Sequence, residues 1–173
     1  TTAPTTTTST TTTTSSTSTS TTSTTAPACT VCADHLLISE VYYDTIGNDN
    51  LEEWVELHNP TASGINLNGY MLFDNVGNFT LPFEIIPAGG TIVIAKDANG
   101  FMSLYGTVPD ISGIDLSLNN NGDNLSLKNT LGDEIDFVSW ENFTTGWDIA
   151  AKNNDNQSIE RFPINQDTDT VAD

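Results

Sequence analysis

Apolar and polar positions in this chain alternate over short runs rather than recurring every three or four residues. Residues 36–43, LLISEVYY, form an apolar, β-branched and aromatic run that stops in the turn-rich DTIGNDN and reads as a first strand. In EWVELHN (53–59), Trp54, Glu56 and His58 alternate with Val55 and Leu57 until Pro60 ends the run. YMLFDN (70–75) follows a Gly/Asn-rich bend, and NFTLP (78–82) leads through PAGG to the buried-strand run TIVIA (91–95). NGFMSLYG (99–106) reads as a single helical turn. NLSLKN (124–129), the turn TLGD, EIDFVSW (134–140) and a late SIERF (158–162) complete the pattern. Short strands at this spacing, almost without helical periodicity, predict an all-β antiparallel β-sandwich.

Five blocks in order, ISEVYYD followed by EWVELHNPTASGINLNGYMLFD, then IPAGGTIVIA, LNNNGDNLSLKNTLGDEIDFVSW and QSIERF, resemble the lamin tail domain family. The resemblance runs from about Leu36 to Phe162 and implies an immunoglobulin-like sandwich. Gly69 and the Gly89-Gly90 pair fall where the chain turns between strands, and Gly132-Asp133 supplies the tight turn of a hairpin. Trp54, Val55, Leu57, Leu72, Ile92, Ile94, Leu125, Leu127, Ile135 and Phe137 are then the expected core. Nuclear lamins carry this domain behind a long coiled coil, and this sequence has no heptad run. Its surroundings resemble those of prokaryotic secreted and cell-surface proteins that contain the same module. Fold alone does not carry function.

The N-terminal segment changes the picture. Of residues 1–25, 17 are Thr and 6 are Ser, and a stretch without large apolar side chains cannot bury enough surface to offset its ordering entropy. Two parts are expected: 1–33, an extended Thr/Ser-rich connector containing a CxxC, and 34–173, the sandwich. Dense Thr/Ser broken only by Ala and Pro is the composition of O-glycosylated stalks. The candidate acceptors are Thr5, Thr6, Thr7, Thr8, Ser9, Thr10, Thr11, Thr12, Thr13, Thr14, Ser15, Ser16, Thr17, Ser18, Thr19, Ser20, Thr21, Thr22, Ser23, Thr24 and Thr25. At about 3.1 Å per residue in a polyproline-like form such a segment spans roughly 85 Å, against roughly 40 Å for the domain's diameter, so it can run along a whole neighbour. A sandwich has edge strands that can accept an added strand, and β-branched threonine suits that role.

All charged residues follow this segment, 23 acidic against 4 basic, giving a net charge of -19. Such a surface repels nucleic acid, whose binding depends on Lys and Arg. No apolar run approaches the roughly 20 residues that cross a bilayer as a helix.

Candidate chemistry is sparse. His35 and His58 are the two histidines, and neither stands in a recognisable nucleophile motif; His58 is expected on an exposed strand face, and no catalysis is expected. Cys29 and Cys32 suggest a disulfide in an oxidising compartment, within the loop or between chains; zinc on Cys29, Cys32 and His35 would need a fourth ligand from elsewhere in the chain and would be exposed. The oxygen-rich loop holding Asp44, Asp49 and Glu52 is either a solvated turn or a calcium site without EF-hand spacing; no other cofactor is expected. Sequons place candidate N-glycans on Asn78, Asn124, Asn142 and Asn156. Trp140 and Trp147 are either packed or free to stack on sugar rings. Together these features suggest an extracellular, glycosylated structural subunit that polymerises with copies of itself through its N-terminal segment. The alternative is an adhesion or carbohydrate/protein-binding module displayed on a stalk.

Overall fold

A computed structural model describes residues 32–143, 145, 151–152 and 156–168. In chain order the elements are β1 (Leu37–Tyr42), α1 (Asp49–Glu52), β2 (Trp54–His58), β3 (Ile65–Asn66), β4 (Met71–Phe73), β5 (Asn78–Thr80), β6 (Ile85–Ile86), β7 (Thr91–Ala95), α2 (Ala98–Tyr105), β8 (Ile111–Ser112), β9 (Gly122–Lys128), β10 (Glu134–Glu141) and β11 (Ile159–Glu160). One sheet has the order β11-β1-β2-β7-β8 and the other β10-β9-β4-β5; β3 and β6 form a separate two-stranded ribbon. This is an all-β, immunoglobulin-like sandwich. The β7–β8 pair is parallel, whereas the remaining pairs of both sheets are antiparallel.

The core lies between the sheets. Val55, Leu57, Ile92 and Ile94 from one side and Leu72, Leu125 and Leu127 from the other belong to one buried cluster with Ile38, Val41 and Tyr43. Each aliphatic side chain buried here contributes roughly 1.5–3 kcal/mol relative to exposure. The alternation in β2 sends Trp54 to the opposite face, where Tyr42, Ala95 and Phe101 of α2 form a second cluster.

Two core expectations are corrected in β10. Ile135 is only partly buried and Phe137 half-buried; Val138 and Trp140 enter the core instead. The register shifts between Glu134 and Asp136, and because side chains alternate with period two, a one-residue bulge transfers the inward face to 136, 138 and 140. Trp140 is fully buried, stacks on Tyr43 at 5.0 Å and donates its indole N–H to the Asn119 carbonyl at 2.9 Å. It is therefore no platform for a sugar; Trp147 lies outside the described residues.

The helix at NGFMSLYG is longer than the single turn expected. Asp97 caps it by accepting from the Asn99 and Gly100 N–H groups, and Gly106 ends it in the left-handed region. The β9–β10 turn follows the sequence closely: Gly132 has φ 87° and donates to the Asn129 carbonyl, a conformation that a Cβ would strain. The sequence pattern does not mark β3, β6, β8 or α1. Strands of two residues carry no readable alternation, and their pairing is decided by the neighbours they meet.

Candidate functional site

The exit of the N-terminal segment is built by the two ends of the domain together. Cys32, exposed, forms an antiparallel bridge with Gln166, and the Ala33 N–H donates to the Asn165 carbonyl at 3.0 Å. His35 lies between Asp34 (Nδ1, 3.3 Å) and Asp167 (Nε2, 3.1 Å). The same C-terminal stretch reaches His58, whose Nε2 meets the Asn165 side-chain oxygen at 2.6 Å, and the residue is only 4% exposed. This corrects the exposed strand histidine expected from alternation: the outer face of β2 is not bare, because residues 163–167 fold over it.

Arg161 ties this region to both sheets. Its guanidinium donates to the Asp136 carboxylate on β10 (2.9 Å), the Ile38 carbonyl on β1 (3.2 Å) and the Gln166 carbonyl (2.8 Å), and lies 3.5 Å from Asp167. Asp136 in turn accepts the Ile38 N–H at 2.5 Å, close to the register shift between Ile38 and Glu40. Burial pushes the Asp136 carboxyl up to about 6, with Arg161 opposing the shift. The sequence hid this arrangement: an Asp on an otherwise apolar strand face was its one signal.

The acidic loop is ordered by its own carboxylates. Thr45 donates its N–H and hydroxyl to Asp49 Oδ1 at 3.2 and 2.8 Å, and the Asn120 amide donates to both Asp44 Oδ1 (2.9 Å) and Asp49 Oδ2 (3.1 Å). Glu52 instead accepts the Gly47 N–H at 2.9 Å. Asp44 and Asp49 thus converge on one amide, and Glu52 points to a different partner. Among the described residues no group of three or more His, Cys, Asp or Glu side chains is placed to hold a metal ion.

Beside this loop opens a cleft of about 580 Å³ lined by Asp49, Glu53, Asn75, Asn119, Asn120 and Asp123, among others. The Glu53 carboxylate pairs with Lys96 at 2.8 Å, and Lys96 also donates to the Leu116 carbonyl at 2.6 Å. Burial raises the Glu53 carboxyl to about 7 against the opposing pull of Lys96. Asp123 accepts from the Asn75 amide and from the Asn119 and Asn124 N–H groups. These carboxylates serve as loop staples, each engaged by N–H donors.

The sequons divide. Asn78 on the edge strand β5, Asn142 and Asn156 are exposed. Asn124 is not an acceptor in the folded domain: it is 8% exposed on β9, an interior strand, and its amide nitrogen donates to Asn75 at 2.9 Å. The O-glycosylation candidates and Cys29 lie outside the described residues, and with Cys29 goes the geometry of the expected disulfide to Cys32.

Neither histidine hydrogen-bonds a serine, threonine or cysteine among the described residues. No described helix is long and apolar enough to cross a membrane. No curated protein matches the chain. The lamin tail domain model matches residues 32–142, the stretch from the N-terminal segment's exit through β10, so the chain belongs to the lamin tail domain family.

Proposed function

We propose that this chain is a non-catalytic structural subunit of an extracellular, glycosylated surface assembly of prokaryotic type, filamentous or pilus-like, in which the Thr/Ser-rich segment of one copy lies along the domain of the next. The observation that carries this reading is the anchorage at the segment's exit. A pull on residues 1–31 enters the domain at Cys32 and is shared among the Cys32–Gln166 bridge, the Ala33–Asn165 hydrogen bond and the His35–Asp167 contact. From there Arg161 passes it to β1 and, through Asp136, to the opposite sheet. A loose linker to an independent module would need no such connection to both sheets. The short edge strands β5 and β8 offer backbone groups that an extended segment can pair with. Glycans on the segment and on Asn78, Asn142 and Asn156 would coat the exterior, and Cys29 with Cys32 would close a disulfide within or between chains.

Negative-stain imaging of the secreted protein tests this, beside a variant lacking residues 1–28. Filaments from the full chain, and folded monomers with unchanged Tm from the shortened one, are expected. A full chain that stays monomeric while carrying its glycans would favour the stalk-displayed binding module instead.

A further inference from the structure

The two main sheets end in four edge strands, each paired on one side among the described strands, and these edges differ in charge. β11 and β8 are two residues long; β11 contains Glu160 and β8 begins beside Asp110. β10 carries Glu134 and Glu141 and is met near its end by Ala151. β5 is uncharged. The ladder around it fixes which of its backbone groups are open. The Leu81 N–H donates to the Tyr70 carbonyl and the Asp74 N–H to the Gly77 carbonyl. In this register Leu72 and Phe79 form the hydrogen-bonded pair between them, so the backbone groups of Asn78 and Thr80 point away from β4. No described strand lies on that side. Phe79 packs against the core, which sends the exposed side chains of Asn78 and Thr80 to the outer face of the sheet. A glycan on Asn78 therefore stands off that face and leaves the in-plane groups open.

The chain around this edge carries almost no charge. From Leu57 to Phe83 the one acidic residue is Asp74, and there is no Lys or Arg. The Asp74 carboxylate accepts the N–H groups of Val76, Gly77 and Ser117, so it is already engaged. Val76 before β5 and Phe83 after it are 87% and 66% exposed. On a domain with a net charge of -19, an uncharged strand docks here without desolvating a free carboxylate. The N-terminal segment has that chemistry. Residues 5–14, TTTTSTTTTT, hold nine threonines and no charge, and β-branched threonine favours a strand. Residues 15–31 span about 50 Å at about 3.1 Å per residue, more than the domain's diameter of roughly 40 Å, so residues 5–14 reach a neighbouring copy from the exit at Cys32.

We infer that residues 5–14 of a second copy add to β5 as a further strand, hydrogen-bonding the outward backbone groups of Asn78 and Thr80 and laying threonine methyls against Val76 and Phe83. The inference rests on the assembly reading and names the edge which that assembly uses. An added strand turns every second residue to the outer face, where a glycan meets no protein.

Hydrogen exchange read by mass spectrometry, on the assembled full chain and on the same chain in dilute solution, tests it. Exchange over residues 78–81 slows at least about tenfold on assembly, while exchange over the β8 edge does not change. Thr80→Pro removes one outward N–H and keeps the pairing with β4; it lowers the yield of filaments about tenfold with Tm held within a few degrees, and Ser112→Pro on β8 leaves the yield unchanged. Should Thr80→Pro fail to fold, exchange in the unaltered chain decides alone. Filaments that form with no slowing over 78–81, or that Thr80→Pro leaves at full yield, overturn the choice of edge and leave the assembly reading standing. A full chain that never forms filaments overturns both. Slow exchange already present in the dilute monomer, and relieved by removing residues 1–28, places the chain's own segment on β5 and overturns the pairing with a second copy.

Discussion

The two faces of the five-stranded sheet are written by the same strands and do different things. Val55 and Leu57 of β2 and Ile92 and Ile94 of β7 face inward, in an aliphatic layer closed by the second sheet. One residue along, Trp54, Glu56, His58 and Val93 face outward into a layer assembled from α2 at one end and residues 163–167 at the other. The inner face is covered by regular strands whose alternation ensures the fit. The outer face meets α2 at one end and Asn165 of the C-terminal stretch at the other. Burial of aliphatic side chains holds the inner face together; the outer face combines aromatic burial with polar contacts such as that of His58 with Asn165.

The largest effect should come from the seam where the two faces join. Arg161→Met removes the cation from Asp136, which is 3% exposed and would remain without its ion-pair partner. Urea unfolding is expected to show a loss of about 3–5 kcal/mol, the penalty of stranding one member of a buried pair. Replacing both, with Asp136→Leu added, should recover much of the loss. If Arg161→Met alone costs under about 1 kcal/mol, the connection between sheets is not what holds the segment's exit.

Neighbouring residues of β7 measure the two faces directly. Ile94→Ala, fully buried between the sheets, is expected to lose about 2–5 kcal/mol. Val93→Ala, partly buried beside the aromatic cluster, should lose about 1 kcal/mol. Equal losses would mean that α2 closes the outer face as tightly as the second sheet closes the inner one.

The smallest effect is on pH. Glu53 and Asp136 have carboxyls raised by burial to about 7 and about 6, above the usual unfolded values near 4. Between pH 4 and 7 the folded state therefore binds more protons than the unfolded state, so these groups favour folding as pH falls and lose that contribution as pH rises through about 7. Tm should rise by a few degrees from pH 8 to pH 5 at constant ionic strength, helped by relief of the net charge of -19. Glu53→Gln should flatten the slope; a Tm that falls steadily over this range would show that both carboxylates are ionised at no penalty.

Much of the fold was legible because the strands that form the core alternate with period two. TIVIA coincides with β7, and EWVELHN, NLSLKN and EIDFVSW contain or overlap β2, β9 and β10. Where alternation failed, a bulge was responsible: the shift before Asp136 exchanges Phe137 for Val138 and Trp140 in the core, and nothing in the letters EIDFVSW marks it. The sites were less legible. Asn124 carries a complete sequon and is closed off by its place on an interior strand. His58 occupies an outward position that becomes buried only because a segment over 100 residues away returns to it. Of the acidic loop, composition indicated oxygen-rich ligands, and only the folded chain aimed Asp44 and Asp49 at Asn120 and Glu52 at Gly47.

The sequence by itself determined the class of sandwich, the family and the division into a Thr/Ser-rich segment and an acidic domain, since periodicity, turn residues and composition are local properties of the chain. Tertiary structure alone decided that Arg161 meets Asp136, that the two ends of the domain clasp one another, and that Glu40 sits between Glu160 and Glu56 on the neighbouring strands. Those depend on register and on which distant segments return to the same sheet, and long-range contacts of that kind leave no periodic trace in the order of residues.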